Sequence, residues 1–278
     1  MRLLAISDLH LGSPTNRDAL AELGHFHEDW LIMAGDLAES FRRIGEGLTL
    51  LRQRFAKVIW VPGNHELWSL PGEDHGLRGR NRYAALVELA RAHDVLTPED
   101  AWPIWDGPGG PACVVPLFTL YDYSFAPAGM NPAQVAAWAA MADIQPVDEV
   151  LLHADPYTSR ADWCRARIAQ TEARLDALPP GLPTVLVNHW PLREDLVHIP
   201  RIPRFAPWCG TRRTEGWAQR YRATACVHGH LHVRGRQWRD GVRFEEVSLG
   251  YPRQWEPIRG IAPYLRQILP FVPEPRDN

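Results

Sequence analysis

Three short apolar runs, RLLAIS (2–7), WLIMAG (30–35) and KVIWVPGNHE (57–66), each end in carboxylate, imidazole or amide groups. Runs this short, bounded by turn residues, read as buried strands rather than helices. Helical spacing separates them. One stretch lies around 16–24, and a second over 38–54 sets Phe41, Ile44, Leu48 and Leu51 on one stripe. Strand, helix, strand, helix, strand predicts parallel βαβ units. A parallel sheet offers its functional groups at the carboxyl ends of its strands, where these polar residues fall.

The rest of the chain continues the pattern less regularly. A polar, glycine-rich loop at 69–82 precedes a helix to about 93, and GPGGP (107–111) is a loop. CVVPLFTLYDYSF (113–125) reads as a strand, 133–142 and 158–178 as helices, and PTVLVNHWP (183–191) as another strand-to-loop junction. Residues 193–214 are irregular and rich in arginine and proline, and a short helix near 214–222 leads into ACVHGHLH (225–232). There His228, His230 and His232 alternate. On a continuous strand they would share one face, but Gly229 is expected to bend the chain. Asp240-Gly241 between VRGRQWR and VRFEEVSL predicts a hairpin turn. The proline-rich tail from 251, with Trp255 and Tyr264, is expected to wrap the surface.

Composition narrows the function. A chain of 278 residues with 45% hydrophobic and 23% charged residues has ample material for a core. The net charge of −3 gives no strong nucleic-acid signal. Lys57 is the only lysine, so almost all positive charge is arginine. The four cysteines form no CxxC pair, which argues against thiolate zinc and disulfide frameworks and for a reducing cytoplasm. The N-terminus shows no signal-peptide pattern and no window has the length of a membrane helix.

Five segments deliver ligand-type groups to strand ends: Asp8 and His10; Asp36; Asn64, His65 and Glu66; His189; and His230 with His232. The donors are oxygen and nitrogen without sulfur, which suits manganese, iron, zinc and similar divalent ions. There are enough for two ions, and a carboxylate such as Asp36 can bridge them. Two ions roughly 3.5–4 Å apart clamp an in-line phosphoryl displacement.

This ordered set, D8-L-H10, G35-D36, G63-N64-H65-E66, N188-H189 and G229-H230-L-H232, resembles the calcineurin-like metallophosphoesterases. The resemblance implies one domain over 1–278, an α/β/β/α sandwich of two mixed sheets flanked by helices, with a dinuclear site at the strand carboxyl ends. Cap-like inserts would fall near 67–112 and 190–222. Motif by motif, it implies that Asp8, His10 and His232 bind one metal, that Asn64, His189 and His230 bind the second, and that Asp36 bridges. His65 would be catalytic, contacting the phosphate and assisting the leaving oxygen. Glu66 would orient a ligand or His65. His228, outside the motif, would be a strand residue or neighbour. Two divalent ions are expected, manganese first, with iron, zinc, magnesium or nickel as alternatives. A metal-bound hydroxide would attack the phosphate of a small or nucleotide-like substrate.

Particular branches fit unequally. Phosphoprotein phosphatases continue the second motif as GDxVDRG where this chain has GDLAES, and lipid A pathway pyrophosphatases carry arginine where this chain has His65. SDLHLG is similar to the Mre11 and SbcD nucleases, which are longer and carry a DNA-binding extension. A phosphatase or phosphodiesterase is the expectation, with such a nuclease or a catalytically silent scaffold as alternatives. Arg193, Arg234 and Arg253 lie where they could approach a phosphate. Trp68, Trp102, Trp105, Trp190, Trp208 and Trp217 either pack the inserts or stack on a base.

Overall fold

The computed structural model describes residues 1–72 and 76–273. Its strands are β1 (Leu3–Ile6), β2 (Phe26–Met33), β3 (Phe55–Trp60), β4 (Ile104–Trp105), β5 (Ala112–Pro116), β6 (Thr184–Val187), β7 (Ala223–His228), β8 (Gly235–Arg239), β9 (Val242–Glu246) and β10 (Arg266–Leu269). The helices are α1 (Pro14–Ala21), α2 (Phe41–Arg54), α3 (Asn64–Leu67), α4 (Gly79–Ala92), α5 (Pro132–Ala140), α6 (Asp148–Leu151), α7 (Arg160–Asp176) and α8 (Trp217–Arg220).

Two mixed sheets result, with strand orders β10-β1-β2-β3 and β4-β5-β6-β7-β9-β8. β1, β2 and β3 are parallel, as are β5, β6, β7 and β9, while β10, β4 and β8 pair antiparallel at the edges. Period two divides each strand between two cores. Leu3, Ala5, Ile32, Ala34, Ile59 and Val61 meet Val114, Val185, Val187, Ala225 and Val227 between the sheets. The alternate residues, among them Leu4, Ile6, Met33, Trp60, Val115 and Leu186, pack with Ile44, Leu48, Leu51, Leu86, Ile168 and Leu175 of the helices. Strands buried on both faces therefore read as unbroken apolar runs.

The sheets touch where β1 runs out. Ser7 N–H donates to Val247 O (3.1 Å) and Leu249 N–H to Ser7 O (2.9 Å), bringing the end of β1 beside the segment after β9.

Three expectations need correction. The 113–125 stretch is a strand only over Ala112–Pro116; Leu120 and Tyr123 take left-handed φ values of 58° and 63°, which no strand accommodates. The third run ends as a strand at Trp60, and Asn64–Leu67 turns into α3 because the Glu66 carboxylate accepts from Gly63 N–H at 2.8 Å. The tail supplies β10, which covers the edge of β1. The hairpin forms as expected, with Asp240 and Gly241 both at positive φ between β8 and β9. No helix among the described residues is long and apolar enough to cross a membrane.

Candidate metal centre

The polar residues after β1, β2, β3, β6 and β7 converge on one spot. Backbone bonds lock their loops together: Asp8 N–H donates to Gly35 O (2.9 Å), His10 N–H to Asp36 O (3.1 Å) and Gly229 N–H to His189 O (3.0 Å). Asp8, His10, Asp36, His230 and His232 all have positive φ, between 42° and 71°. Non-glycine residues there cost of order 1 kcal/mol or more each, so the surrounding structure holds them in place. His228, the last residue of β7, is buried and its Nδ1 lies 3.2 Å from Gly229 O; it joins no ligand group. After it the chain turns, and His230 and His232 point into the site.

The donor atoms form linked sets. Asp8, His10 and His232 make one and Asp36, His189 and His230 another, while His10, Asp36 and His65 also approach one another. In the first set, His232 Nε2 lies 3.0 Å from Asp8 Oδ1 and 3.1 Å from His10 Nε2. In the second, Asn64 Oδ1 lies 3.2 Å from both His189 Nε2 and His230 Nδ1, and Asp36 Oδ2 lies 3.4 Å from His189 Nε2. Ligands about 2.0–2.2 Å from a shared ion stand roughly 3.0–3.6 Å apart, so these spacings fit a divalent ion in each set.

The outer partners agree. His189 Nδ1–H donates to Ala34 O (2.9 Å) and His232 Nδ1–H to Gln254 Oε1 (2.9 Å). Both partners only accept, so each imidazole keeps its Nδ1 proton outward and offers Nε2 to the site, its lone pair free there once the Nε2 proton is lost. Asp8 Oδ2 accepts from Ser7 Oγ (2.5 Å), Ser248 Oγ (2.8 Å) and His230 N–H (3.1 Å), leaving Oδ1 to face the histidines. Burial pushes His10 and His230 down to about 3, leaving them neutral. Burial opposes charge on His189 and His232 too, but Asp36 and Asp8 outweigh it and raise them to about 10 and 9.

Glu66 is fully buried beneath the site. Its carboxylate accepts from Asp36 N–H (2.9 Å), Leu37 N–H (2.8 Å) and Gly63 N–H (2.8 Å), which fixes the loop carrying Asp36. Burial, with Asp36 nearby, raises it to about 7. A Cβ on Gly63 would stand 2.1 Å from Asp36 Oδ1 and 2.7 Å from Asp36 N. Gly63→Ala is therefore expected to push Asp36 aside, costing ~1–3 kcal/mol of stability and lowering metal loading. Thermal melting and elemental analysis read the two effects.

His65 stands beside the two sets. Its Nδ1 lies 3.0 Å from Glu39 Oε1, its Nε2 lies 3.7 Å from Asp36 Oδ2, and its ring packs on Trp68 with centroids 3.7 Å apart. Burial works against its charge, yet Asp36 and Glu39 prevail and raise its pKa. Glu39 lies outside the five strand-end motifs, although GDxVDRG carries an acid at the same offset from its glycine-aspartate.

Above the site opens a cleft of about 330 Å³. Ile199, Ile202, Phe205 and Leu231 line it with apolar groups and Tyr251, Arg253 and Gln254 with polar ones. Tyr251 stacks on His10 at 4.4 Å. Arg253 reaches the cleft, whereas Arg193 does not line it. The Arg193 guanidinium is bound by Asp195 (2.9 Å) and Asp240 (2.8 Å) of neighbouring loops. Arg234 is likewise occupied, donating to Val247 O, Ser248 O and Tyr264 O. Trp105, Trp190, Trp208 and Trp217 are buried and Arg174 lies over Trp102 at 4.1 Å, so these rings pack; Trp68 is partly exposed and rests one face against His65.

A two-sheet α/β fold with aspartate, asparagine and histidine gathered at its strand ends defines a class, the metal-centred hydrolases of phosphoesters. Comparison with known proteins gives the family. Calcineurin-like phosphoesterase matches residues 1–234. A curated relative, "[Acyl-carrier-protein] phosphodiesterase PptH" of Mycobacterium tuberculosis (strain ATCC 25618 / H37Rv), is 49% identical over 272 residues, 96% of this chain and 83% of that protein. The crystal structure of Phosphopantetheinyl Hydrolase (PptH) from Mycobacterium tuberculosis superposes with a TM-score of 0.92 at 48% identity, covering 98% of each chain. The chain belongs to the calcineurin-like phosphoesterase family, and it is a hydrolase acting on phosphoester bonds.

Proposed function

We propose that this protein is a dinuclear phosphodiesterase, and that its substrate is the diester joining a phosphopantetheinyl arm to an acyl-carrier protein. The observation that carries the substrate is the likeness, along nearly the whole of both chains, to the mycobacterial phosphopantetheinyl hydrolase. The cleft is consistent with it. A slender arm with apolar and amide portions suits a cavity of about 330 Å³ lined by both apolar and polar side chains. Read as a cap, the insert near 190–222 would shape that cavity through Ile199, Ile202 and Phe205, whereas no described residue of 67–112 lines it.

In this reading Asp8, His10 and His232 would hold one divalent ion and Asn64, His189 and His230 the other, with Asp36 shared between them. Manganese is the first candidate for this mixed oxygen and nitrogen set. Such ions, when bound, supply Lewis acidity to the phosphoryl oxygens and lower the pKa of water. The chain's own groups do the rest. Arg253, which makes no ion pair with a described residue, would meet a non-bridging phosphate oxygen. His65 would give its Nε2 proton to the departing oxygen while Glu39 holds its Nδ1.

The test is incubation of the purified protein and manganese with a phosphopantetheinylated carrier protein, followed by mass spectrometry of the carrier. Release of phosphopantetheine with unmodified carrier is the expected result. An unchanged carrier, alongside cleavage of single- or double-stranded DNA at low salt, would favour the nuclease reading and overturn this one.

A further inference from the structure

Asparagine is an unusual metal ligand in one respect. Its amide can turn over, presenting either an acceptor oxygen or a donor nitrogen to the site. Something must choose. Asp148, the first residue of α6 and only 2% exposed, does so from 84 positions away. Its Oδ1 accepts from Asn64 Nδ2 at 3.0 Å. A carboxylate oxygen cannot receive the amide oxygen, so Asn64 Oδ1 is turned toward His189 Nε2 and His230 Nδ1, 3.2 Å from each. The same Asp148 Oδ1 accepts from Trp68 Nε1 at 2.7 Å. Trp68 in turn lies against the His65 ring with its plane tilted by 33°.

We propose that Asp148 is a positioning residue for the hydrolysis: one carboxylate oxygen orients the Asn64 amide for the second ion and anchors the indole that backs His65. This rests on the reading of Asn64 as a ligand. Nothing in the five strand-end motifs includes Asp148, because it comes from a helix outside them.

The experiment uses Asp148→Ala, Asp148→Asn and Asn64→Ala, with the two manganese ions titrated separately against a competing chelator and kcat and KM measured at each loading. In Asp148→Ala the second ion is expected to bind ~10–100-fold more weakly. The first ion, held by Asp8, His10 and His232, keeps its affinity. The kcat falls at limiting manganese and rises as manganese is added, with KM little changed. Asp148→Asn retains an acceptor oxygen and recovers most of the loss. A merely structural role would lower the melting temperature and weaken both ions together. Wild-type affinity for both ions in Asp148→Ala, or no rescue by Asp148→Asn, overturns the proposal. If Asp148→Ala does not fold, a folded Asp148→Asn with a weak second ion overturns it too. Retention of the second ion by Asn64→Ala removes the ligand reading itself.

Discussion

Replacing Asp36 with asparagine is expected to leave a folded protein that loses metal and about 10³ in kcat on a diester substrate. The side chain sits between the two donor sets, with Oδ2 3.4 Å from His189 Nε2 and 3.7 Å from His65 Nε2, and Oδ1 accepting from His65 N–H at 3.0 Å. Asparagine has the same shape, and it is one of the few residues that tolerate the φ of 57° found here. The backbone anchor survives, because Asp36 N–H still donates to Glu66. What disappears is one negative charge and one ligating oxygen. If two ions are held here, a carboxylate placed between the donor sets would serve both, so its loss would weaken both, with the several kcal/mol of Lewis-acid stabilisation they would supply. Burial opposes the Asp36 charge, but His189 and His65 outweigh it and hold the carboxyl well below the usual carboxylate range, so the metal-free variant should melt lower than metal-free wild type. Elemental analysis, melting and kcat at saturating manganese decide it. A kcat within tenfold of wild type with full metal loading would remove Asp36 from the centre.

That these polar groups converge was legible in the sequence because they follow apolar runs of four to eight residues, and parallel strands put their ends on one edge. Asp8, Asp36, Asn64, His189, His230 and His232 could be read because each is local to its strand. What stabilises them could not. Ser248 reaches Asp8 from 240 residues away and Gln254 reaches His232 from 22, pairings that only the folded chain defines. The left-handed backbone at Asp8, His10 and His232 leaves only a weak mark in residue type, since aspartate and histidine are enriched there but far less tied to it than glycine. Arg193 misled for the opposite reason. Its place in the sequence is near His189, but two carboxylates from neighbouring loops claim its side chain. The β10 strand was hidden by the prolines around it, which suit an edge strand as well as a surface loop.

The second large effect separates chemistry from metal binding. His65→Asn is expected to keep both ions yet lose ~10²–10⁴ in kcat when the leaving group is an alkoxide, the range general-acid catalysis supplies. The Nδ1 of His65 is engaged with Glu39 at 3.0 Å, so Nε2 alone faces the cleft. An alkoxide leaves badly without a proton. A nitrophenolate leaves readily without one, so bis-p-nitrophenyl phosphate should lose far less, about tenfold at most. The ratio of the two losses is therefore the measurement. It also discriminates between two roles, because His65 falls geometrically into a donor group with His10 and Asp36. Were His65 a ligand, its replacement would deplete metal and slow both substrates alike, and equal losses would sink the assignment as acid. Glu39→Gln should fall between wild type and His65→Asn on the alkoxide substrate, since glutamine still accepts from Nδ1 but no longer supports charge on the ring.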